Sequence, residues 1–446
     1  MEIVIKRGHD LRLQGGIAAA EPPREVQVNR IAICPDDFDG FVPKTEVRVG
    51  DKVSVGDALL HDKNDERLKL VSPLCGTVVA VERGERRHIE RVIVEASDEK
   101  LPPKKFDARK CRSAEKLIEL LADAGILAEM RRRPFADMPQ VDVMPRDIFV
   151  TAFDSAPLAV DRVWTDADTA VLQAGASTLS HLTNGTVYLS KRSDSTLPKL
   201  SKIVEVEVRG PHPSGLPGVQ AANIAPVNRE ETIWTLSVET MWRIGRMVLS
   251  GIYDPTTFVT VCGSCVSHPY VAQTIVGAPI KPLLDGEIES ENGNVRIISG
   301  NVLTGIKESI DEGYLHFPYR QLTVIPEGDD VDEFMGWASL SPKKMSISPS
   351  FPGRFFRKVF NPDARIHGGQ RAIIMSGEYD RVVPMGILVE YLVKAILSRD
   401  IENMEKLGIY EVAPEDFALA ECLDSSKLPL QKIVREGLDY LRKELS

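Results

Sequence analysis

The sequence predicts an α+β chain of several domains, and three observations carry that prediction. First, 446 residues exceed what one typical core accommodates, so several units are expected. Second, the chain changes texture along its length. Short alternating strands fill the first hundred residues, strands alternate with helices in the next 150, and the end is helical. Third, the changes coincide with punctuation, as at Leu101-Pro102-Pro103 followed by mixed charge.

Residues 1–100 read as a small β-rich domain. Val47, Val49, Val53 and Val55 alternate with polar residues around Gly50-Asp51, and a second tight turn follows at Gly56-Asp57. Val78 and Val79 sit in an extended stretch opened by Ser72-Pro73 and Gly76. Residues 101–255 read as an α/β domain. Ser113 caps an amphipathic helix whose apolar face is Leu117, Leu120, Leu121 and Ala124, ended near Gly125. Ile148–Phe153 reads as a buried strand, Asp168–Leu182 as a helix, and Val187–Leu189 and Lys202–Arg209 as strands. Residues 256–330 form a second β-rich module, with short strands at Phe258–Val261, Glu287–Glu289 and Val295–Ile298. Residues 331–385 are an irregular linker region, and 386–446 a helical C-terminal domain.

Composition narrows the function. Charge is 27%, apolar content 43% and net charge −10, which disfavours non-specific nucleic-acid binding as the main role. Basic spots at Arg109-Lys110-Arg112 and Arg131-Arg132-Arg133 read as solvated helix ends, or as contacts for an acidic partner or lipid heads. Six cysteines do not make a disulfide scaffold and fit a reducing compartment. No apolar run reaches the roughly 18 residues needed to span a bilayer, and the first residues are no signal peptide.

Candidate chemistry is sparse. Cys262-Gly-Ser-Cys265 has redox or half-metal-site spacing, which His268 or His316 would complete only if the fold brought them near. Buried thiols at a strand turn are the preferred reading, and no metal site or catalytic residue is assigned. The loop Gly210-Pro211-His212-Pro213-Ser214-Gly215-Leu216-Pro217-Gly218 follows a strand, as phosphate-binding loops do. Its prolines remove amide donors, and it matches neither G-x-G-x-x-G nor a P-loop, so it reads as a degenerate ligand loop.

V-x-V-G-D-x-V-x-x-G-D-x-L followed by S-P-x-x-G-T-V resembles the lipoyl/biotinyl barrel-sandwich hybrid. The resemblance implies a cofactor lysine at a hairpin tip, where Lys63 stands. Yet the stretch after it is long and charged and lacks Asp-Lys-Ala or Met-Lys-Met. The fold is therefore expected unmodified.

Further motifs agree with one another in order: Ile3 to Gly15, Arg133–Ala159, His212–Gly218, Ile298–Gly305, Phe334–Trp337 and Gly377–Ile387. Together they resemble the A subunit of the sodium-translocating NADH:quinone oxidoreductase (the NqrA family), almost end to end. The resemblance implies a Rossmann-like α/β domain similar to the flavin-binding subunit of respiratory complex I, followed by an SLBB-type β-grasp module. It implies a peripheral subunit on the cytoplasmic face of the bacterial inner membrane, without a firmly bound cofactor. NADH, FAD, FMN, riboflavin and Fe–S centres would belong to the partner B to F subunits. The B subunit would be the direct neighbour, and quinone the substrate shared with it. Cys422 alone stands where the family commonly keeps two cysteines.

For quinone contact the expectation falls on two aromatic and Met/Pro-rich surface segments. Phe38, Phe41 and Pro43 form one; Phe135, Met138 and Pro139 form the other. His9, Asp37 or Arg133 would supply polarity. Two alternatives remain: a stand-alone flavin-dependent NADH dehydrogenase, and a lipoyl or biotin carrier.

Overall fold

A computed structural model describes residues 1–18, 21–288, 293–329, 342, 344–346, 352–356, 359–366 and 369–445. Its first unit is a barrel-sandwich hybrid. One sheet orders Arg30–Ile33, Ile89–Ala96, Gly76–Arg83 and Lys52–Val53; the other orders Pro43–Thr45, Ala58–Asp62 and Lys69–Val71. Ile31, Leu59, Leu60, Val78, Val92 and Val94 fill the space between them. The Gly-Asp turns fall where expected. Gly50 and Gly56 take φ of 95° and 90°, a region glycine enters without steric cost.

The second unit is a six-stranded sheet. Its order is Glu2–Val4, Val204–Arg209, Val187–Lys191, Ile148–Thr151, Ile233–Ser237 and Arg131–Arg133. The first five run parallel and the last is antiparallel. Every residue of Ile148–Thr151 is buried, as a central parallel strand covered on both faces requires. Ile148 and Val150 meet the helices Thr169–Leu179 and Val238–Ser250. Those two helices touch through glycine: a Cβ on Gly175 would lie 2.1 Å from Met241 O, and one on Gly245 1.9 Å from Val171 O. Phe149 faces the other way, toward the helix Pro217–Ile224. Ser113 caps the helix Ala114–Asp123 by accepting from Lys116 N, and Gly125 follows at φ 74°.

The third unit is an SLBB-like sheet of Ile306–Glu308, Val295–Ser299, Gln321–Pro326, Thr256–Cys262, Tyr270–Ile275 and Arg24–Glu25. Four helices close the chain: Val389–Leu397, Ile401–Lys406, Ala418–Leu423 and Leu430–Leu445. The last buries Leu430, Ile433, Val434, Leu438 and Leu441, one stripe at helical spacing. These helices share a core with Ile5, Val206, Val208 and Val219. Among the described residues, no helix is long and apolar enough to cross a membrane.

The structure differs from the sequence reading at several points. The chain's beginning is shared out. Glu2–Val4 joins the second sheet and Arg24–Glu25 the third, because each supplies an edge pairing that local pattern cannot announce. Glu287 and Ile288 lie outside any regular strand, although Ile288 makes one isolated bridge to Val266. Residue 289, the motif Phe334–Trp337 and much of the 331–385 region lie outside the described residues. Arg131–Arg133 is an edge strand rather than a helix end or lipid-facing patch. Arg132 and Arg133 are buried against acidic partners, and Arg131 donates to Asp37 O at 2.8 Å.

Candidate functional site

In an open α/β sheet, ligands sit beyond the carboxyl ends of the strands. Here that crevice holds the loop Gly210–Leu216. Pro211, Pro213 and Pro217 have no N–H. Four of the other amides are already used. His212 N donates to Asp10 Oδ1 (2.8 Å) and Gly215 N to Ser155 Oγ (2.8 Å), while Ser214 N and Leu216 N donate to Pro211 O and Pro213 O. Thr151 Oγ1 donates to Gly215 O at 3.0 Å, and Gln220 Nε2 ties Thr151 to Ser214 O. The glycines serve close packing. A Cβ on Gly210 would lie 2.4 Å from Ile5 O, and one on Gly215 2.6 Å from Ser155 N. The loop therefore does not fit a flavin or dinucleotide phosphate, which needs free amides and open space. His212 packs against Ser155 Oγ at 3.1 Å, and burial pushes its ring toward the neutral form. His9 lies at the same loop, with its N donating to His212 O at 2.8 Å.

The two quinone-candidate segments, about 95 residues apart in sequence, are brought side by side. Met138 N donates to Asp39 O at 3.1 Å. Phe38, Phe41 and Met138 share the first unit's core. These three and Pro139 are buried, so the surface expectation is corrected for them. Their apolar area is spent closing the sandwich against the α/β unit. Phe38 already stacks on Phe317, with centroids 5.0 Å apart and planes 6° from parallel. A ligand reaches that face only by displacing Phe317. Pro43 is half-buried and begins a strand opposite Asp62.

Phe135 differs. It is half-buried at φ 82°, under the Arg132 guanidinium 5.3 Å from its ring centre. Arg435 of the last helix donates to Phe135 O (2.7 Å) and Ala136 O (3.1 Å). Asp137 accepts from Arg132 and from Arg442. Phe135 thus lies at a seam held by three arginines.

Arg133 connects the two centres. Its side chain is 1% exposed, and Nη2 lies 3.5 Å from Glu415 and 3.8 Å from Asp416. A Cβ on Gly218 would sit 2.8 Å from both Arg133 Nη2 and Asp416 Oδ2, so a larger residue there would have to displace the pair. Burial raises Asp416 to about 7, opposed by Arg133. Asp37 lies elsewhere, facing His316 at 2.6 Å. Asp137, Asp416 and Arg435 went unnoticed in the sequence. They are single charged residues in ordinary surroundings, and two of them come from the helical end.

Comparison with known proteins gives the family of the chain. Three family models match successive parts of the chain: the NqrA N-terminal barrel-sandwich hybrid domain over residues 3–97, the NqrA second alpha/beta domain over 112–253, and the NQRA C-terminal domain over 258–309. The A subunit of the Na(+)-translocating NADH-quinone reductase of Vibrio anguillarum is 33% identical, over 99% of this chain and 100% of the relative. Those of Pasteurella multocida (strain Pm70) and Vibrio campbellii (strain ATCC BAA-1116) are 31% and 32% identical with the same coverage. The chain belongs to the A-subunit family of the Na(+)-translocating NADH-quinone reductase.

In this NqrA-family chain the lipoyl-like hairpin is fastened down. Lys63 is exposed at the tip between Ala58–Asp62 and Lys69–Val71. Beside it Arg67 reaches Asp142 of the α/β unit (2.8 and 2.6 Å), and Lys69 reaches Asp123 (2.6 Å). A carrier arm needs a tip free to swing, and this one is docked. Cys262 and Cys265 are buried, and burial raises the Cys262 thiol to about 12. Neither nominated histidine is grouped with them: His268 faces Glu287 at 3.6 Å, and His316 stands by Cys34 and Asp37. Burial also raises the Cys422 thiol.

Proposed function

We propose that this chain is the peripheral, non-catalytic A subunit of a sodium-translocating NADH:quinone oxidoreductase, coupling NADH oxidation and quinone reduction to sodium export as part of the complex. Full-length similarity to the named A subunits supports the assembly, and the filled crevice at Gly210–Gly218 supports the absence of a flavin in this chain. That crevice is the observation that carries the reading. Its amides and its space, which a redox enzyme would give to a cofactor, are used by protein. NADH oxidation and electron transfer then run on partner subunits, with NADH, flavins and Fe–S centres bound there.

The role left to this chain is docking and quinone handling with the B subunit at the cytoplasmic face. Phe135, at the seam between the first unit, the α/β sheet and the last helix, is the half-exposed aromatic that best suits a quinone ring. Phe38, Phe41 and Met138 belong to the first unit's core, whereas Phe135 packs against the core shared with the C-terminal helices. The test isolates the tagged chain from gently solubilised native membranes. Co-purifying subunits with sodium-stimulated NADH:quinone reductase activity are expected. Recovery of the chain alone, or with bound flavin, would overturn the reading.

A further inference from the structure

Away from the crevice, three different metal-ligating side chains converge between the first and third units. Cys34 follows the strand Arg30–Ile33, and Asp37 ends the turn Pro35–Asp37. The three-residue spacing, with Asp37 N donating to Cys34 O at 3.2 Å, sets both on one turn. His316 arrives from a loop 279 residues further on. Sγ of Cys34, a carboxylate oxygen of Asp37 and a ring nitrogen of His316 all lie within 4.8 Å of one another. Cys34 is buried, the Asp37 side chain is 5% exposed, and that of His316 12%. We propose that Cys34, Asp37 and His316 form a zinc-class divalent metal site that clamps the barrel-sandwich unit to the SLBB-like unit.

The donor set selects the metal. Thiolate with imidazole and carboxylate suits zinc, while magnesium and calcium take oxygen donors alone. Two details are those of a prepared site. His316 uses Nδ1 toward Asp37 and Nε2 toward Glu308 Oε1, each at 2.6 Å. A carboxylate on the far nitrogen is what orients a histidine ligand. Asp37 has its second oxygen fixed by Phe317 N at 2.9 Å, which leaves the first to coordinate. One dication replacing two protons, one from Cys34 Sγ and one from His316 Nδ1, leaves the cluster's net charge unchanged. At the Asp37–His316 pair the adjustment is small. Asp37 and His316 separate from 2.6 Å to the roughly 3.3 Å that tetrahedral bonds of about 2.0–2.1 Å impose. Three protein ligands leave a fourth position for water.

The full chain, stripped with chelator, is titrated with Co²⁺ and then Zn²⁺. One cobalt per chain is expected, with a thiolate-to-cobalt absorption band that zinc bleaches. Cys34→Ser should abolish the band, and a Cys262→Ser, Cys265→Ser double variant should keep it. Glu308→Gln, which removes no ligand, should retain the band and weaken binding by about 10–100-fold. It keeps the test decisive if Cys34→Ser does not fold. No band, a band that survives in Cys34→Ser, or an affinity unchanged in Glu308→Gln would each overturn the proposal.

Discussion

Arg133 Nη2 lies 3.8 Å from Asp416 Oδ2, and both side chains are buried. The pair joins an edge strand of the sheet to the helical end of the chain, beside Gly218 of the crevice loop. Burial raises Asp416 to about 7, against an unfolded value near 3.9. Between those values the folded state holds a proton that the unfolded chain has released. Stability should therefore fall as pH rises from about 4 to 7, since the folded state binds more protons there. Asp416→Asn removes this contribution, and urea melts across that range should show a shallower slope than the parent chain. Equal slopes would show that Asp416 is ionised throughout. Arg133→Met should cost about 3 kcal/mol, the low end for breaking a buried pair, because the carboxyl left behind accepts a proton readily.

Gly215→Ala tests whether the crevice is filled. The added Cβ would meet Ser155 N at 2.6 Å and Ser155 Oγ at 2.8 Å, in a loop whose amides are committed. Overpacking of this kind costs about 1–3 kcal/mol. A lowered melting temperature is expected, with no flavin absorbance in either protein. A variant as stable as the parent would mean that the loop has slack, and flavin reconstitution would become worth pursuing.

The docked hairpin predicts that Lys63 stays bare. Incubation with a lipoate or biotin ligase should leave the intact mass unchanged, and an increment on Lys63 would contradict the docking. Arg67→Ala should leave the melting temperature nearly unchanged, because Arg67 is 40% and Asp142 77% exposed and solvent screens the pair. It should nonetheless speed limited proteolysis within residues 63–68, because the tip then loses its tie to Asp142.

Local pattern made much of this fold legible. The alternating valines around Gly50 and Gly56, the Ser113 cap and the apolar stripe of 430–441 are each written within a short continuous run of chain. Pairings between distant segments left no such mark. Glu2–Val4 is three residues long and finds its partner some 200 residues later, and Tyr270–Ile275 has a weak alternation fixed mainly by its antiparallel neighbour Thr256–Cys262. The site was legible by residue type and not by environment. Sequence nominated Phe38 and Phe135 alike, because an aromatic residue in a Pro-punctuated segment looks the same whether covered or exposed. Which face Phe317 would cover, and where Arg435 would land, depends on tertiary contacts that spacing does not encode.

That difference yields a direct comparison of the two phenylalanines. Phe38 is 8% exposed and stacked on Phe317, so Phe38→Ala should cost about 3–5 kcal/mol and lower the yield of assembled complex before it affects turnover. Phe135 is half-buried, and much of its tie to Arg435 runs through its backbone carbonyl, which alanine retains. Phe135→Ala should therefore leave assembly intact. If its ring contacts quinone, the assembled complex should show a raised KM for quinone, while NADH oxidation by an artificial acceptor upstream of quinone stays at the parent rate. A binding loss of about 0.5–1.5 kcal/mol, the scale of an aromatic contact beyond simple burial, corresponds to roughly 2- to 12-fold in KM. An unchanged KM in Phe135→Ala would remove this chain's aromatic seam from quinone binding and leave that task to its partner subunits.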